Sequence, residues 1–417
     1  MVFRQFQLVS GPITTLSLAR SWPRRFYQRL LLTLIEDTVP TPHLTRRQLL
    51  AGASTATVAA VTGCLGRRGG GESTSGGGAP TEQARATDDA PATVGMVYAL
   101  GGLDDRSFND AANRGAQRAR LDHGIAYTNH EPDSIAELGE TQATLAASSN
   151  PAYDLVCCVG FRQADGLESA AAAAPDQQFM IVDTAVDASN VASYVFEEQT
   201  GSFQAGRLAA LLTTRDIDAG GGATNPDART VGFVGGVDEP LTHGFHAGFQ
   251  AGVTHTASDI DVLAAYIGDF EDVEAARTAA AAMYDAGADI VYHAAGGAGV
   301  GVLQAAQANG RYAIGVDSDQ SRSNPRYADV VLASMVKRID TAVYDAIEAT
   351  IDGDLPAGDV VSLGLATNGV SVQYGTQLGP AIPDAVTDAL GETREALVAG
   401  DITVPTERPQ SAGGGGV

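Results

Sequence analysis

Lysine is almost absent from this chain: of its 26 basic residues only Lys337 is a lysine, and the rest are arginines. Cysteine is nearly as scarce. The three present, Cys64, Cys157 and Cys158, cannot form a disulfide framework. The adjacent pair lies in the apolar run Val156–Val159, which reads as a buried strand with the thiols packed as small hydrophobes. Long apolar runs are missing too. Leu30–Ile35 and the Ala- and Thr-rich stretch after Leu50 both fall short of the roughly 20 residues that cross a bilayer as a helix. The sequence has no Gly-x-Ser-x-Gly elbow, no His-Glu-x-x-His and no phosphate-binding P-loop, which removes three large hydrolase and nucleotidase classes. His243 and His246 are three apart at a helix start with no third ligand, so they read as solvated surface histidines and no metal site is expected. Basic charge is outweighed, with 50 acidic against 26 basic residues and a net charge of −24. A nucleic-acid partner is excluded, since phosphate binding requires a positive face.

An ordered export signal is present near the N-terminus. Arg46-Arg47 opens it, a mild apolar run follows, and Val61-Thr62-Gly63 leads into Cys64. Charged region, apolar region and small residues before a cleavage point are the parts of a secretory signal, and paired arginines mark twin-arginine export. Small residues directly before Cys64 resemble a lipobox, in which the cysteine is lipidated and becomes the new N-terminus. The chain is thus expected to be tethered outside the cytoplasmic membrane by a lipid and not to span it. Residues 1–63 form the extension plus signal, and residues 1–42 match no part of the signal pattern.

Removing residues 1–63, which hold seven arginines and two acids, leaves 19 basic and 48 acidic residues, a net of −29. Strong negative charge with little lysine is what high salt favours, because carboxylates retain water while salt screens their repulsion. Hydrophobic residues make up 44%, enough for a packed core.

Residues 64–92 are Gly, Ser, Thr, Pro and acid and read as a flexible tether, and 406–417 as a disordered tail. Between them short apolar strands alternate with helices. Thr93–Ala99 precedes a helix over Phe108–Asp122, Tyr153–Val159 precedes Gln163–Ala174, and Gln178–Val182 ends at Asp183. Farther on, Thr230–Val234 precedes Leu241–Gly252, Ile290–His293 precedes Val300–Asn309, and Tyr312–Val316 ends at Asp317. This α/β alternation predicts parallel sheets covered on both faces, with ligands bound beyond the carboxyl ends of the strands.

The strand ends carry the chemistry. Asp104, Asp105, Phe108 and Asn109 follow the first strand and suit either a polar aromatic ligand or a helix cap. Asp183 and Asp317 each terminate an apolar strand. Lys337, kept where lysine is otherwise avoided, offers a compact ammonium that arginine does not reproduce. Gly296–Gly301 fits the place of a dinucleotide loop without its spacing, and equally lets backbone amides approach another ligand.

Taken in order, seven segments resemble the basic membrane protein (BMP) family of substrate-binding lipoproteins, which includes purine-nucleoside receptors. They are 101–109, 159–165, 197–206, 231–236, 293–301, 315–320 and 334–338. The resemblance implies a two-lobed type I periplasmic binding protein fold, with lobe 1 at 93–195 and 330–362 and lobe 2 at 196–329 and 363–405. It implies a purine nucleoside held between Phe108 and Phe270, with Phe245 and Phe249 as competing candidates for the second ring. Asn109 and Asp183 would then bond the base, and Asp317 and Lys337 the ribose hydroxyls. Gly297 and Gly299 would lie close by, Asp104 would stand at the site, and Arg106 would sit at its rim. It also implies a monomer with no cofactor and no chemistry of its own, delivering its ligand to an ABC permease and that permease's ATPase. The competing reading is an exported NAD-type dinucleotide-dependent enzyme using Gly296–Gly301, with His293 as its acid or base.

Overall fold

The computed structural model describes residues 90–407. The export signal, Cys64, nearly all of the tether and the tail from 408 onward lie outside the described residues.

In chain order the strands are β1 (Thr93–Val97), β2 (Ala126–His130), β3 (Leu155–Cys158), β4 (Gln178–Val182), β5 (Val191–Phe196), β6 (Asp218–Ala219), β7 (Gly222–Ala223) and β8 (Thr230–Gly235). They continue with β9 (Asp261–Tyr266), β10 (Ile290–Ala294), β11 (Tyr312–Asp317), β12 (Val331–Lys337), β13 (Val360–Leu363) and β14 (Val370–Tyr374). The α-helices are α1 (Phe108–His123), α2 (Ile135–Ala146), α3 (Ala164–Ala173), α4 (Glu198–Thr213), α5 (Pro240–Thr256), α6 (Val273–Asp285), α7 (Val300–Asn309), α8 (Gln320–Ser323), α9 (Ile339–Asp352) and α10 (Asp384–Ala399).

Two six-stranded sheets result. The first has the order β13-β5-β4-β3-β1-β2, with every pair parallel. The second has the order β14-β12-β11-β10-β8-β9, parallel except where β14 returns antiparallel along β12. Within each, the strand order reverses between the first strand and the third, β1/β3 and β8/β10. Loops leave such a switch point in opposite directions and open a crevice at the carboxyl ends of the strands. The central strands are apolar on both faces and fully buried, as in Leu155–Cys158, because helices cover both sides of a parallel sheet. Cys157 and Cys158 are packed in this interior, and burial pushes the Cys158 thiol up to about 12.

The expected α/β fold is the one observed, with one boundary displaced. The chain was expected to re-enter the first lobe at residue 330, but β12 hydrogen-bonds to β11 and β14 in the second sheet. The crossing therefore follows Lys337, after which α9 packs on α1 and β13 joins the first sheet. A second correction concerns His246. It is buried, stacked on Phe233 with ring centroids 4.8 Å apart, and its Nδ1 bonds the Tyr266 hydroxyl at 2.9 Å. It is a core residue and not a solvated one. His243 pairs with Asp238 at 2.6 Å, and no metal-ligating cluster occurs among the described residues.

Helices α4 and α5 pack closely on each other beside the second sheet, and glycine brings them together. A Cβ on Gly206 would lie 2.1 Å from the Phe249 carbonyl oxygen, and one on Gly252 2.0 Å from that of Phe203. The two backbones touch where any side chain would force them apart. This packing fixes Glu198, the first residue of α4, against the end of β12.

Candidate functional site

The carboxyl ends of the two sheets face each other across a cavity of about 320 Å³, at the lower end of the range for small-molecule sites, roughly 300–1,000 Å³. Lys337 and Asp317 from the second lobe and Asp183 from the first contribute to its lining, and Phe108, Phe161 and Phe270 supply aromatic walls.

The loop after β1 is built by its own side chains. The Asp105 carboxylate accepts from the backbone N–H groups of Ser107 (2.9 Å), Asn109 (2.8 Å) and Asp110 (3.1 Å), so it caps α1 and sets the entry angle of Phe108. Asn109 Oδ1 accepts from the Ala99 N–H at 3.0 Å, while Nδ2 donates to the carbonyls of Ala99 (3.2 Å) and Gly102 (2.8 Å). Both donors of this amide are therefore committed to the loop. Asn109 lines the cavity and braces the loop that carries Phe108. Asp104 lines the mouth but is exposed, and Arg106 sits at the rim, reaching Asn324 of the other lobe at 3.4 Å.

The two strand-end acids occupy corresponding positions, each at the end of the fourth strand added to its sheet, β4 and β11. Both adopt left-handed backbone, with φ of 71° at Asp183 and 61° at Asp317. Non-glycine residues hold that conformation at a cost of order 1–3 kcal/mol, and such strain gathers at functional sites. Here it turns each carboxylate off its sheet and into the crevice.

Lys337 ends β12 with its side chain 1% exposed. Its ammonium donates to Asp183 Oδ1 at 2.6 Å and lies 3.0 Å from Glu198 Oε1. The rings of Phe196, Phe108 and Phe245 stand 4.9, 5.4 and 5.5 Å from Nζ, close enough for cation–π attraction. Burial lowers the affinity of Lys337 for its proton, but the carboxylates of Asp183, Glu198 and Asp317 outweigh this and hold the ammonium charged well above its usual range. Asp317 shows the opposite balance: burial pushes it up to about 6, against the pull of Lys337 and of the Ser107 hydroxyl, which donates to Oδ2 at 2.6 Å.

The aromatic wall is completed by Phe270, expected from the sequence, and Phe161, which was not. Their rings meet edge to face at 6.5 Å. Gly236 makes room for Phe270, since a Cβ there would lie 2.4 Å from the ring. Of the competing rings, Phe245 lines the cavity, while Phe249 is buried against Tyr292 at 5.2 Å. Arg162 spans the mouth, bonding Glu239 of the other lobe at 2.9 Å with its guanidinium about 6 Å from the Phe161 and Phe270 rings, at 5.9 and 6.0 Å.

Gly297 lines the cavity, but Gly299 does not. A Cβ on Gly299 would strike the His293 ring at 1.9 Å, so this glycine exists to seat a buried histidine. His293 is itself enclosed, bonded through Nε2 to Gln320 at 2.7 Å and pushed by burial down to about 4. It is not part of the cavity lining and offers a bound molecule neither acid nor base. The Gly296–Gly299 segment is a tight turn into α7 and not an extended phosphate loop.

Sequence reasoning missed Glu198, Ser107, Phe161 and Arg162. All four lie in segments already singled out, 101–109, 159–165 and 197–206. Their roles depend on which strand ends face which, and no spacing within one segment states that.

Two lobes closed over a polar-floored, aromatic-walled cavity define a solute-binding protein. The profile of the Bmp family, described as ABC transporter substrate-binding protein PnrA-like, matches residues 92–407, and the chain belongs to that family. It is 31% identical to the ABC transporter nucleoside-binding protein BmpA of Lactococcus lactis, over 75% of this chain and 88% of that one. It is 30% identical to an uncharacterized lipoprotein of Pyrococcus abyssi, over 82% and 83% of the respective chains. A solved ABC transporter solute-binding protein from Aeropyrum pernix K1 superposes with a TM-score of 0.67 at 27% identity, covering 77% of this chain and 95% of its own.

Proposed function

We propose that this protein is the lipid-anchored, extracytoplasmic receptor of an ABC importer and that its ligand is a purine nucleoside. The observation that carries the ligand reading is the pairing, in one cavity, of aromatic walls (Phe108, Phe161 and Phe270) with a charged floor (Asp183, Asp317 and Lys337). Flat aromatic faces suit a base, at about 1–3 kcal/mol for each stacked base. A floor of carboxylate and ammonium suits vicinal hydroxyls and selects against analogues that would leave those groups buried and unpaired. The nucleoside-binding relative in Lactococcus lactis supports the same reading. Asp183 and Asp317 act as acceptors for ligand donors, and Lys337 as the donor to a ribose oxygen.

Anchoring through Cys64 after twin-arginine export follows from the sequence order and is supported by the lipoprotein relative. The surface charge fits a salt-rich exterior. Working as a monomer, the receptor binds, closes and presents its ligand to the permease without turning it over.

The test is a calorimetric titration of the full-length chain in molar salt with inosine, guanosine, adenosine and the free bases. Saturable binding of nucleosides, with free bases binding at least tenfold more weakly, is expected from the loss of one buried polar contact or more. A folded protein that binds none of them would overturn the ligand reading.

A further inference from the structure

Lys337 and Glu198 both belong to the second lobe, where the end of β12 meets the start of α4. Their pairing is internal to that lobe and is neutral as a unit. Asp183 comes from the first lobe and reaches across to within 2.6 Å of the same ammonium. Asp317 stands beside them on β11, so the closed site sets three carboxylates against one cation in the dry interior. The carboxylates are not equally supported. Asp183 accepts the Lys337 hydrogen bond, and Asp317 accepts from the Ser107 hydroxyl at 2.6 Å. Glu198 Oε1 lies near the ammonium but accepts no hydrogen bond from the described residues, and its side chain is only 9% exposed.

Resting on the ligand reading above, we propose that Glu198 is a positioning residue for Lys337, and that closure around the ligand delivers a proton to Glu198 as Asp183 displaces it as the main partner of the ammonium. In the open form Glu198 is the counter-ion that keeps Lys337 charged and aimed at the cleft. In the closed form it is the carboxylate that is surplus. The groups facing it agree with this. Lys337 from β12 favours its anion, while Asp183 from the end of β4 opposes it. Asp317 from β11, with Asp105 of the first lobe behind it, adds to the acidic side of the cluster. Tyr292 from β10, bonded to Ser202 at 3.0 Å, is held neutral by burial. Burial, only partly offset by Lys337, lifts the Glu198 carboxyl to about 7. The two partners shift for different reasons: Lys337 faces three anions and gains, while Glu198 shares one cation with two other acids and loses.

The sign follows. A group whose affinity for a proton rises on closure makes binding tightest below its open-form pKa, and the advantage is lost as pH rises through the closed-form value, near 7. One proton corresponds to at most about tenfold in Kd per pH unit.

The experiment titrates the full-length chain with inosine at neutral pH in two buffers of different ionisation enthalpy, then across pH, for the wild type and Glu198→Gln. A buffer-dependent heat showing net proton uptake is expected in the wild type, with Kd rising through neutrality and levelling in alkali. Glu198→Gln is expected to remove the uptake and flatten the pH profile. Binding without buffer-dependent heat in the wild type overturns the inference even if the variant does not fold. A folded variant that keeps the wild-type slope overturns it as well, placing the proton on Asp317. Absence of any inosine, guanosine or adenosine binding overturns the ligand reading and this inference together.

Discussion

Replacing Lys337 by methionine keeps most of the side-chain volume at the end of β12 and removes the ammonium that three acids face. Removing one partner of a buried ion pair costs about 3–5 kcal/mol, because the charge left behind is uncompensated. At about 2–4 °C per kcal/mol for a large domain, that is a melting point lower by roughly 6–20 °C. The loss depends on pH in a definite direction. Burial already holds Glu198 at about 7 and Asp317 at about 6, and Lys337 is the strongest influence pulling each down. Without it both carboxyls rise further and take up protons in mild acid, so two of the three negative charges are removed and the deficit shrinks. In mild alkali the carboxylates are ionised and unpaired and the full deficit appears. Thermal melts of wild type and Lys337→Met in molar salt, at about pH 5.5 and about pH 8.5, test this. The deficit should widen with pH, and adding Asp183→Asn to the variant should recover part of it at the higher pH. A deficit of equal size at both values would refute the electrostatic account of the pocket floor.

Two further predictions concern the walls and the mouth of the cavity. Phe270→Ala should weaken inosine binding by about 5- to 150-fold, the equivalent of about 1–3 kcal/mol of stacking, with little change in melting point because the ring faces the cavity; calorimetry and a thermal melt read both. Arg162→Ala removes the Glu239 bond across the mouth, whose partners are 32% and 38% exposed, so the contribution is discounted to about 0–1 kcal/mol. Ligand release followed by stopped flow should be up to about fivefold faster in low salt and unchanged in molar salt, where the pair is screened.

The reach of the sequence can be judged residue by residue. Asp183 and Asp317 were visible because each ends an apolar run, and a charge at the end of a buried strand must face the crevice or cap a helix. Lys337 was visible because the chain uses lysine nowhere else. Phe270 was legible only through the resemblance. Asn109 was legible as a residue of the cavity wall but not as the brace of its loop, because an amide near an aromatic reads alike whether it contacts a ligand or braces a loop. Its role is decided by the Ala99 and Gly102 carbonyls, which only the folded turn brings to it. The packing of Gly299 against His293 was not legible, since a glycine seating a histidine and one admitting a ligand have the same local pattern.

By itself the sequence determined the α/β alternation, the cleft at the strand ends and the acids and lysine that line it, because hydrophobic periodicity and strand-end charge are local properties. Only the tertiary structure decided that β12 belongs to the second sheet, that Glu198 and Asp183 share one ammonium, and that Ser107 reaches Asp317 across the cleft. Those facts join residues 139 to 210 positions apart (Lys337 to Glu198 and Asp183, Ser107 to Asp317). Such partners are chosen by how two sheets close on each other, and no local pattern encodes that choice.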